Sequence, residues 1–382
     1  MATYLKGHKM IAIDATPLQS EHRFRGVGAY TRHLCQALLK EIPGELEFYA
    51  TNNGADLLPP DIRKRAYLGY RGHRPAQVYW LYNELYLRIM LGKTKPRVFH
   101  ATDFNGTVKV PGIPTVATLH DLTNVHADKE RTGPSARLSA WRWRMYYQKK
   151  LPQVDHVITV SQHVKDDAVQ TLSIPPSRVS VIPLGIDTSQ FYPARGKGPF
   201  AGRPPYILYV GSRDPNKNLD GVLRSFAFVA AELPDIRLGI AGRWNSEDVQ
   251  WLKHRVDEDP ATRGRVDHLG FVPDEDMASL YGNAELFLFP SLAEGFGFPV
   301  VEAMACHTPV VASNRPPISE VAGDGALLVN PLACEEMAQA MLSILSSSDQ
   351  RNSLIVRGQR RIALYDWGRV GKDTIDVYRR FS

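Results

Sequence analysis

Two glutamates separated by seven residues, Glu294 and Glu302, bracket a glycine-rich turn and could act on one ligand. The stretch reads Glu294-Gly295-Phe296-Gly297-Phe298-Pro299-Val300-Val301-Glu302-Ala303. It follows the apolar run Leu286–Phe289 and opens a helix. Gly295 and Gly297 let the backbone approach a ligand closely. Pro299 suits the first helical turn, where its missing N–H is not needed. Free N–H groups at a helix start bind hydroxyls or anionic oxygens. Glu294 precedes the helix and Glu302 stands about one turn inside it, so the carboxylates reach different parts of an extended ligand. Two solvated acids on a Gly-rich turn would have the same composition. Other polar residues sit at strand ends. His120 follows Val116–Leu119 and should emerge at that strand's carboxyl end. Asp103 follows Val98-Phe-His-Ala-Thr and could touch an acceptor. Asp121 suits a turn or cap.

The elements that must position these residues alternate. Strand-type runs occur at Met10–Ala15, Glu47–Ala50, Val98–His100, Thr115–Leu119 and Val157–Val160, each followed by polar or helical sequence. Ser161 is placed to cap a helix that turns Val164, Ala168 and Val169 inward. Phe191–Pro205, rich in Pro, Gly and basic residues, reads as a linker. The rhythm restarts at Tyr206–Val210, with further strands at Leu238–Ala241, Val266–Leu269, Glu285–Phe289 and Pro309–Ala312, and helices at Gly221–Leu233 and Pro299–Cys306. This is an α/β pattern of two doubly wound parallel sheets. Ligands of such sheets sit at the carboxyl ends of the strands, and two facing domains offer a cleft. Gly26-Val27-Gly28 precedes a helix from about Ala29 to Glu41. It lies about ten residues after its strand, with Thr31 where a third glycine would stand, so it is not a dinucleotide fingerprint.

The chain has 382 residues, which suggests two domains at roughly 150 residues each. Its 43% hydrophobic and 23% charged residues are those of a globular protein and exclude a disordered or disulfide-scaffold chain. Three scattered cysteines, no apolar run long enough to span a bilayer and no secretory signal favour a reducing, cytoplasmic setting. Residues 1–190 carry a net charge of +9 and residues 191–382 a net of −3. One half therefore meets something anionic: nucleic acid, a membrane surface or a phosphorylated substrate.

The Glu–x7–Glu with Gly-Phe-Gly resembles the signature of retaining GT-B glycosyltransferases, in particular glycosyltransferase family 4. Val210-Gly211-Ser212-Arg213-Asp214-Pro215-Asn216-Lys217 is similar to that family's diphosphate segment, and His120-Asp121 to its N-domain histidine. Ile182-Pro-Leu-Gly-Ile-Asp187, Glu302-Ala-Met-Ala-Cys306 and Pro309-Val-Val-Ala-Ser313 agree in order and spacing. The resemblance covers essentially the whole chain. It implies two Rossmann-like domains, 1–190 plus 365–382 on the acceptor side and 191–364 on the donor side, with a last helix after Tyr365-Asp-Trp367 that crosses back onto the first. It implies a nucleotide-sugar donor and transfer without a metal. Arg213 and Lys217 would hold the diphosphate, a forked guanidinium beside a mobile point charge. Glu302 would bind the ribose. Glu294 and His120 would lie at the transferred sugar, whose hydroxyls meet N–H groups of Phe296, Gly297 and Phe298. Gly211 would lie by the diphosphate, Phe271 and Val272 by the nucleobase, and Gly26 and Gly28 in a flexible loop near phosphate and acceptor. Arg243 and Trp244 could line the same cleft, and Glu320 the nucleotide. His307 stands at the C-terminal end of the Pro299–Cys306 helix, where many relatives have glycine, and tolerates the left-handed conformation that such a cap needs. Cys306 is a packing residue.

The pattern is closest to bacterial surface-polysaccharide mannosyltransferases, so GDP-mannose is the expected donor, with UDP-sugars as alternatives. A nucleotide-sugar epimerase or a non-catalytic nucleotide-sugar-binding protein would share the fold. The acceptor is expected to be a glycan or lipid-diphosphate-linked sugar. The basic, aromatic segment Arg137–Lys150 could lie on the inner face of the plasma membrane. It equally fits a helix packing Leu138, Trp141 and Met145. No nucleic-acid motif accompanies the basic half.

Overall fold

The computed structural model describes residues 10–19, 26–52, 54–69, 82–126, 141 and 147–381. The Arg137–Lys150 segment, apart from Trp141 and residues 147–150, lies outside them. The chain forms two compact units, Met1–Gly185 with Trp367–Ser382, and Ile186–Asp366. Both crossings lie close to the expected 190 and 365. The Ile186 N–H donates to the Tyr365 carbonyl at 3.0 Å, which pairs the two passages of chain inside the second unit. Phe191–Pro205 is part of that unit and not a free linker: Phe191 is buried and packs edge-on to Tyr281 at 6.3 Å.

The first unit holds a parallel sheet of seven strands in the order β3-β2-β1-β4-β5-β6-β7. They are β1 Ile11–Asp14, β2 Leu46–Thr51, β3 Ala66–Gly69, β4 Val98–Ala101, β5 Thr115–Leu119, β6 His156–Thr159 and β7 Val179–Val181. The central strands are mostly apolar because both faces are covered, with Asp14, His100, Thr115 and Thr118 as buried polar exceptions. β1, β4 and β5 are buried throughout. The helix expected from about Ala29 runs Gly26–Glu41. Gly26 and Gly28 thus form its first turn instead of a loop; N–H groups there have no intrahelical acceptor to lose. Ser161 caps the helix Gln162–Leu172 by accepting from the Val164 N–H at 3.2 Å. Val164, Ala168 and Leu172 are its buried residues, whereas Val169 is half-buried. The last helix, Trp367–Arg379, packs on Gly26–Glu41. Gly371 makes this close approach possible: a Cβ there would stand 3.0 Å from the Ala37 Cβ.

The second unit holds six parallel strands in the order β10-β9-β8-β11-β12-β13. They are β8 Tyr206–Val210, β9 Arg237–Ala241, β10 Val266–Gly270, β11 Leu286–Phe289, β12 Val310–Ser313 and β13 Ala326–Val329. In each sheet the chain winds outward from its first strand, then returns to build the other side. The reversal falls between β1 and β4 in one sheet and between β8 and β11 in the other. Crevices for ligands open at the carboxyl ends of strands beside such reversals.

Candidate active site

In the second unit the turn after β8 and the turn after β11 flank the reversal. Gly211 leaves β8 with its N–H on the Ala241 carbonyl at 2.9 Å. A Cβ on Gly211 would lie 2.6 Å from the Tyr209 hydroxyl, so the position excludes a side chain. That buried hydroxyl reaches the carbonyls of Ser212 at 3.2 Å and Lys217 at 3.3 Å, pinning both ends of the turn. Trp244 Nε1 donates to the Gly211 carbonyl at 2.8 Å, so this ring braces the turn.

The two turns are tied by backbone. The Leu292 N–H donates to the Asn216 carbonyl at 2.7 Å, and Asn216 Nδ2 to the Ala293 carbonyl at 3.3 Å. Their neighbours then meet: Lys217 Nζ lies 2.6 Å from Glu294 Oε1. The pair is mostly sheltered, with side-chain exposures of 23% and 15%. The Lys217 ammonium also stands 5.6 Å over the Phe289 ring. Arg213 is not part of this contact. Its Nη1 donates to Asp248 Oδ1 at 2.9 Å, and its guanidinium stacks 4.5 Å from the Trp251 ring.

The helix Phe298–Ala305 starts from Gly297, whose φ of 100° favours glycine. Phe296 is buried, edge-on to Phe298 at 5.7 Å and to Tyr365 at 5.5 Å. Its ring is core, and only its backbone is available to a ligand. Glu302, half-buried one turn along, accepts from the Tyr281 hydroxyl on Oε2 at 2.9 Å. Burial pushes its carboxyl up to about 7, against the Tyr281 hydrogen bond and with help from the Asp274 charge. The helix stops at His307, with φ of 62°, which fills the left-handed position as expected. Cys306 is buried, its thiol pushed up to about 12 by burial and the Glu302 charge. After β10, Phe271 is 51% exposed with the Arg243 guanidinium 4.7 Å over its ring, while Val272 is buried. Glu320 lies on the short helix Ile318–Ala322. Asp257-Glu258-Asp259 and Asp274-Glu275-Asp276 are Asp-x-Asp pairs. No group of three or more metal-ligating side chains occurs among the described residues.

In the first unit, Asp14, Asp103 and His120 stand at or just beyond the carboxyl ends of β1, β4 and β5, which are neighbours. His120 is half-buried; Nε2 lies 3.0 Å from the Thr102 carbonyl, and the ring meets Tyr30 edge-on at 4.8 Å. Asp121 closes a turn by accepting from the Thr123 N–H at 3.0 Å. Asp103 is half-buried near Asp14. Sequence reasoning overlooked Asp14, although a lone acid ending the apolar run Met10–Ala15 marks it. Its side chain is fully buried, and Oδ1 accepts from the Thr16 N–H and hydroxyl at 2.9 and 2.6 Å. Oδ2 has no partner among the described residues. Burial pushes its carboxyl up to about 6, against the Thr16 hydrogen bonds and with a smaller push from Asp103.

Comparison with known proteins matches both units. The family described as "Glycosyl transferases group 1" covers residues 193–361, and "Glycosyltransferase Family 4" covers residues 24–190. The chain is 30% identical to O-antigen chain mannosyltransferase B of Escherichia coli over 69% of this chain and 70% of that one. The chain belongs to the group 1, family 4 glycosyltransferases. It is also 27% identical to the MMP alpha-(1->4)-mannosyltransferase of Mycolicibacterium hassiacum, over 93% of this chain and 94% of that one. Solved GT-B structures share the fold. One is the sucrose-phosphate synthase of Thermosynechococcus elongatus, with a TM-score of 0.78 at 21% identity over 97% of this chain and 98% of that one. Another is Anabaena HepE, solved with UDP and glucose, with a TM-score of 0.72 at 17% identity over 98% of this chain and all of that one. The fold class expected from the sequence is therefore the one found. No helix among the described residues is long and apolar enough to cross a membrane.

Proposed function

We propose that this glycosyltransferase moves mannose from GDP-mannose to an acceptor hydroxyl, with retention at the anomeric carbon and without a metal. The observation that carries the reading is the Lys217–Glu294 contact beside the β8/β11 reversal, which joins a cation and a carboxylate where a ligand of this sheet would lie. The mannose assignment rests on the relatives named as mannosyltransferases.

In this reading Lys217 and Arg213 bind the diphosphate, Arg213 turning from Asp248 to do so, and stabilise the departing charge. Glu302 accepts from the ribose hydroxyls. Phe271 and Val272 flank the base, and Gly211 admits the phosphates. N–H groups of Phe296, Gly297 and Phe298 hold the sugar, with Glu294 and His120 beside it. Gly26 and Gly28, at the start of their helix, offer N–H groups to phosphate, and Asp103 contacts the acceptor. Lys217 neutralises Glu294 and makes it a poor nucleophile. A front-face route follows: the bond from the anomeric carbon to the diphosphate oxygen breaks, the bond to the acceptor oxygen forms, and the acceptor proton passes to the departing phosphate. The net charge of +9 over residues 1–190 suits a glycan acceptor carried on a lipid diphosphate at the inner membrane face, with Arg137–Lys150 as the peripheral contact.

A thermal-shift screen over nucleotide-sugars, with and without EDTA, tests the donor, because a bound donor raises the melting temperature by mass action. GDP-mannose should stabilise most, equally with the chelator. Stabilisation by UDP-sugars alone would replace the donor, and loss with EDTA would overturn metal independence. NMR of the product reads the anomeric outcome. A glycosyl adduct trapped on Glu294 would overturn the front-face route. Nucleotide release without any acceptor would point to an epimerase.

A further inference from the structure

A line of buried side chains runs from the last helix to His120. His100 on β4 lies with Nδ1 2.6 Å from the Tyr378 hydroxyl and Nε2 2.8 Å from Thr118 Oγ1. Thr118 on β5 lies 2.8 Å from the Tyr30 hydroxyl. The four side chains are at most 1% exposed. Burial, with a smaller contribution from His120, pushes His100 down to about 3, so its ring is neutral: one nitrogen donates and the other accepts. The hydroxyls at its two ends therefore take different roles, which gives the line a direction. Tyr30 is braced further by Trp367, 6.2 Å from it between ring centroids. The Tyr30 and His120 rings then meet nearly perpendicular, at 4.8 Å and 78°. On the other side, His120 Nε2 faces a carbonyl, which can only accept. Nε2 therefore carries the proton, and in the neutral ring Nδ1 is left as the acceptor.

We infer that Tyr30, anchored through Thr118, His100 and Tyr378, is a positioning residue that holds His120 in one orientation and one tautomer, so that Nδ1 accepts from a hydroxyl of the transferred sugar. The last clause rests on the proposed sugar-facing role of His120; the orientation and tautomer do not. Tyr30 touches no reacting atom. Its ring blocks rotation of the imidazole, and its hydroxyl fixes where that ring stands. The line also couples the last helix to the site, since Tyr378 and Trp367 belong to it.

The test uses the full-length enzyme with Thr118→Val, which keeps the shape and removes the bridging hydroxyl, Thr118→Ser, which restores it, and Tyr30→Leu, which removes the ring. Nitrogen-15 NMR of histidine-labelled protein reads the tautomer of His120, assigned by its loss in His120→Ala. The wild type should show Nε2–H. Thr118→Val and Tyr30→Leu should show mixed tautomers and a fall in kcat of about 10- to 100-fold, with donor KM little changed. Thr118→Ser should recover both readouts. Folded Thr118→Val and Tyr30→Leu proteins with the wild-type tautomer and kcat would overturn the inference. A His120→Ala variant of unchanged turnover would overturn the sugar-facing role instead, and the tautomer measurement would then decide the positioning claim alone.

Discussion

Donor affinity should rise with pH through neutrality, and Glu302→Gln should remove the dependence. Glu302 accepts one hydrogen bond from Tyr281 on Oε2, and the proposed ribose contact would use its other oxygen. Burial and the Asp274 charge raise its carboxyl to about 7. If the carboxylate is the binding form, affinity follows the ionised fraction. With the group at about 7, that fraction is roughly nine-tenths at pH 8 and roughly 3% at pH 5.5. The difference is about 30-fold in Kd, or about 2 kcal/mol. The assay is isothermal titration with intact GDP-mannose, whose diester diphosphate does not titrate in this window, in buffers of differing ionisation enthalpy so that proton release is counted. The wild type should release protons on binding below pH 7. Glu302→Gln should bind weakly at every pH, with no slope. Identical slopes in both proteins would refute the ribose role. The same group makes a second, independent demand. Its folded pKa lies above the ordinary value of 4.5, so its stabilising contribution is complete below pH 4.5 and is lost as pH rises through about 7. The loss is at most about 3 kcal/mol. Glu302→Gln should therefore gain stability over the wild type between pH 5 and pH 8, whatever the donor does.

Lys217→Ala should lower kcat/KM for the donor by at least about 100-fold, since it removes diphosphate charge compensation and leaves the mostly sheltered Glu294 carboxylate unpaired; unchanged turnover would sink the diphosphate role. Gly106→Ala would place a Cβ 1.9 Å from Asp14 Oδ2, so it should cost about 2–4 kcal/mol in the first unit, and Asp14→Ala should recover part of that in the double variant. Asp14 has a folded pKa of about 6 against an ordinary 3.8, so its contribution is present below pH 3.8 and is lost, by about 3 kcal/mol, as pH rises through 6. Hydrogen-exchange protection of β1 should show most of that fall in the wild type relative to Asp14→Asn between pH 3.5 and 7, roughly half of it above pH 5; parallel pH dependence would place the titration elsewhere.

Burial separates most of the strands that sequence reasoning found from those it missed, although β10, an edge strand half-buried throughout, was found as Val266–Leu269. Runs such as Leu286–Phe289 and Thr115–Leu119 are covered on both faces and are nearly continuous in apolar residues. The overlooked strands, β3, β7 and β13, are edges of their sheets and keep half-buried or exposed positions, so their sequences carry less hydrophobic signal. The Ser161 cap and the left-handed His307 were legible because each is a local backbone event, complete within a few residues. The start of the first helix was not. Glycine at 26 and 28 signals a loop by propensity, and only the packing of Tyr30 and Thr31 into the unit draws the turn into the helix.

The candidate site divides along the same line between local and distant. Residue types and spacing marked Lys217, Glu302 and His120, but not what holds them. Each is held by a buried tyrosine. Tyr209 reaches the Lys217 carbonyl, Tyr281 donates to Glu302, and Tyr30 stands edge-on to His120. In a sequence these tyrosines look like ordinary core aromatics, because a phenol buries a ring as phenylalanine does and shows its purpose only through the partner of its hydroxyl. A hydroxyl buried for packing alone would be an expense the core avoids. Of the three hydroxyls, that of Tyr281 reaches a motif side chain directly, that of Tyr209 fixes the Lys217 backbone, and that of Tyr30 is bonded to Thr118. Replacing each tyrosine with phenylalanine keeps the ring and removes the anchor, so the loss should appear in turnover before it appears in stability.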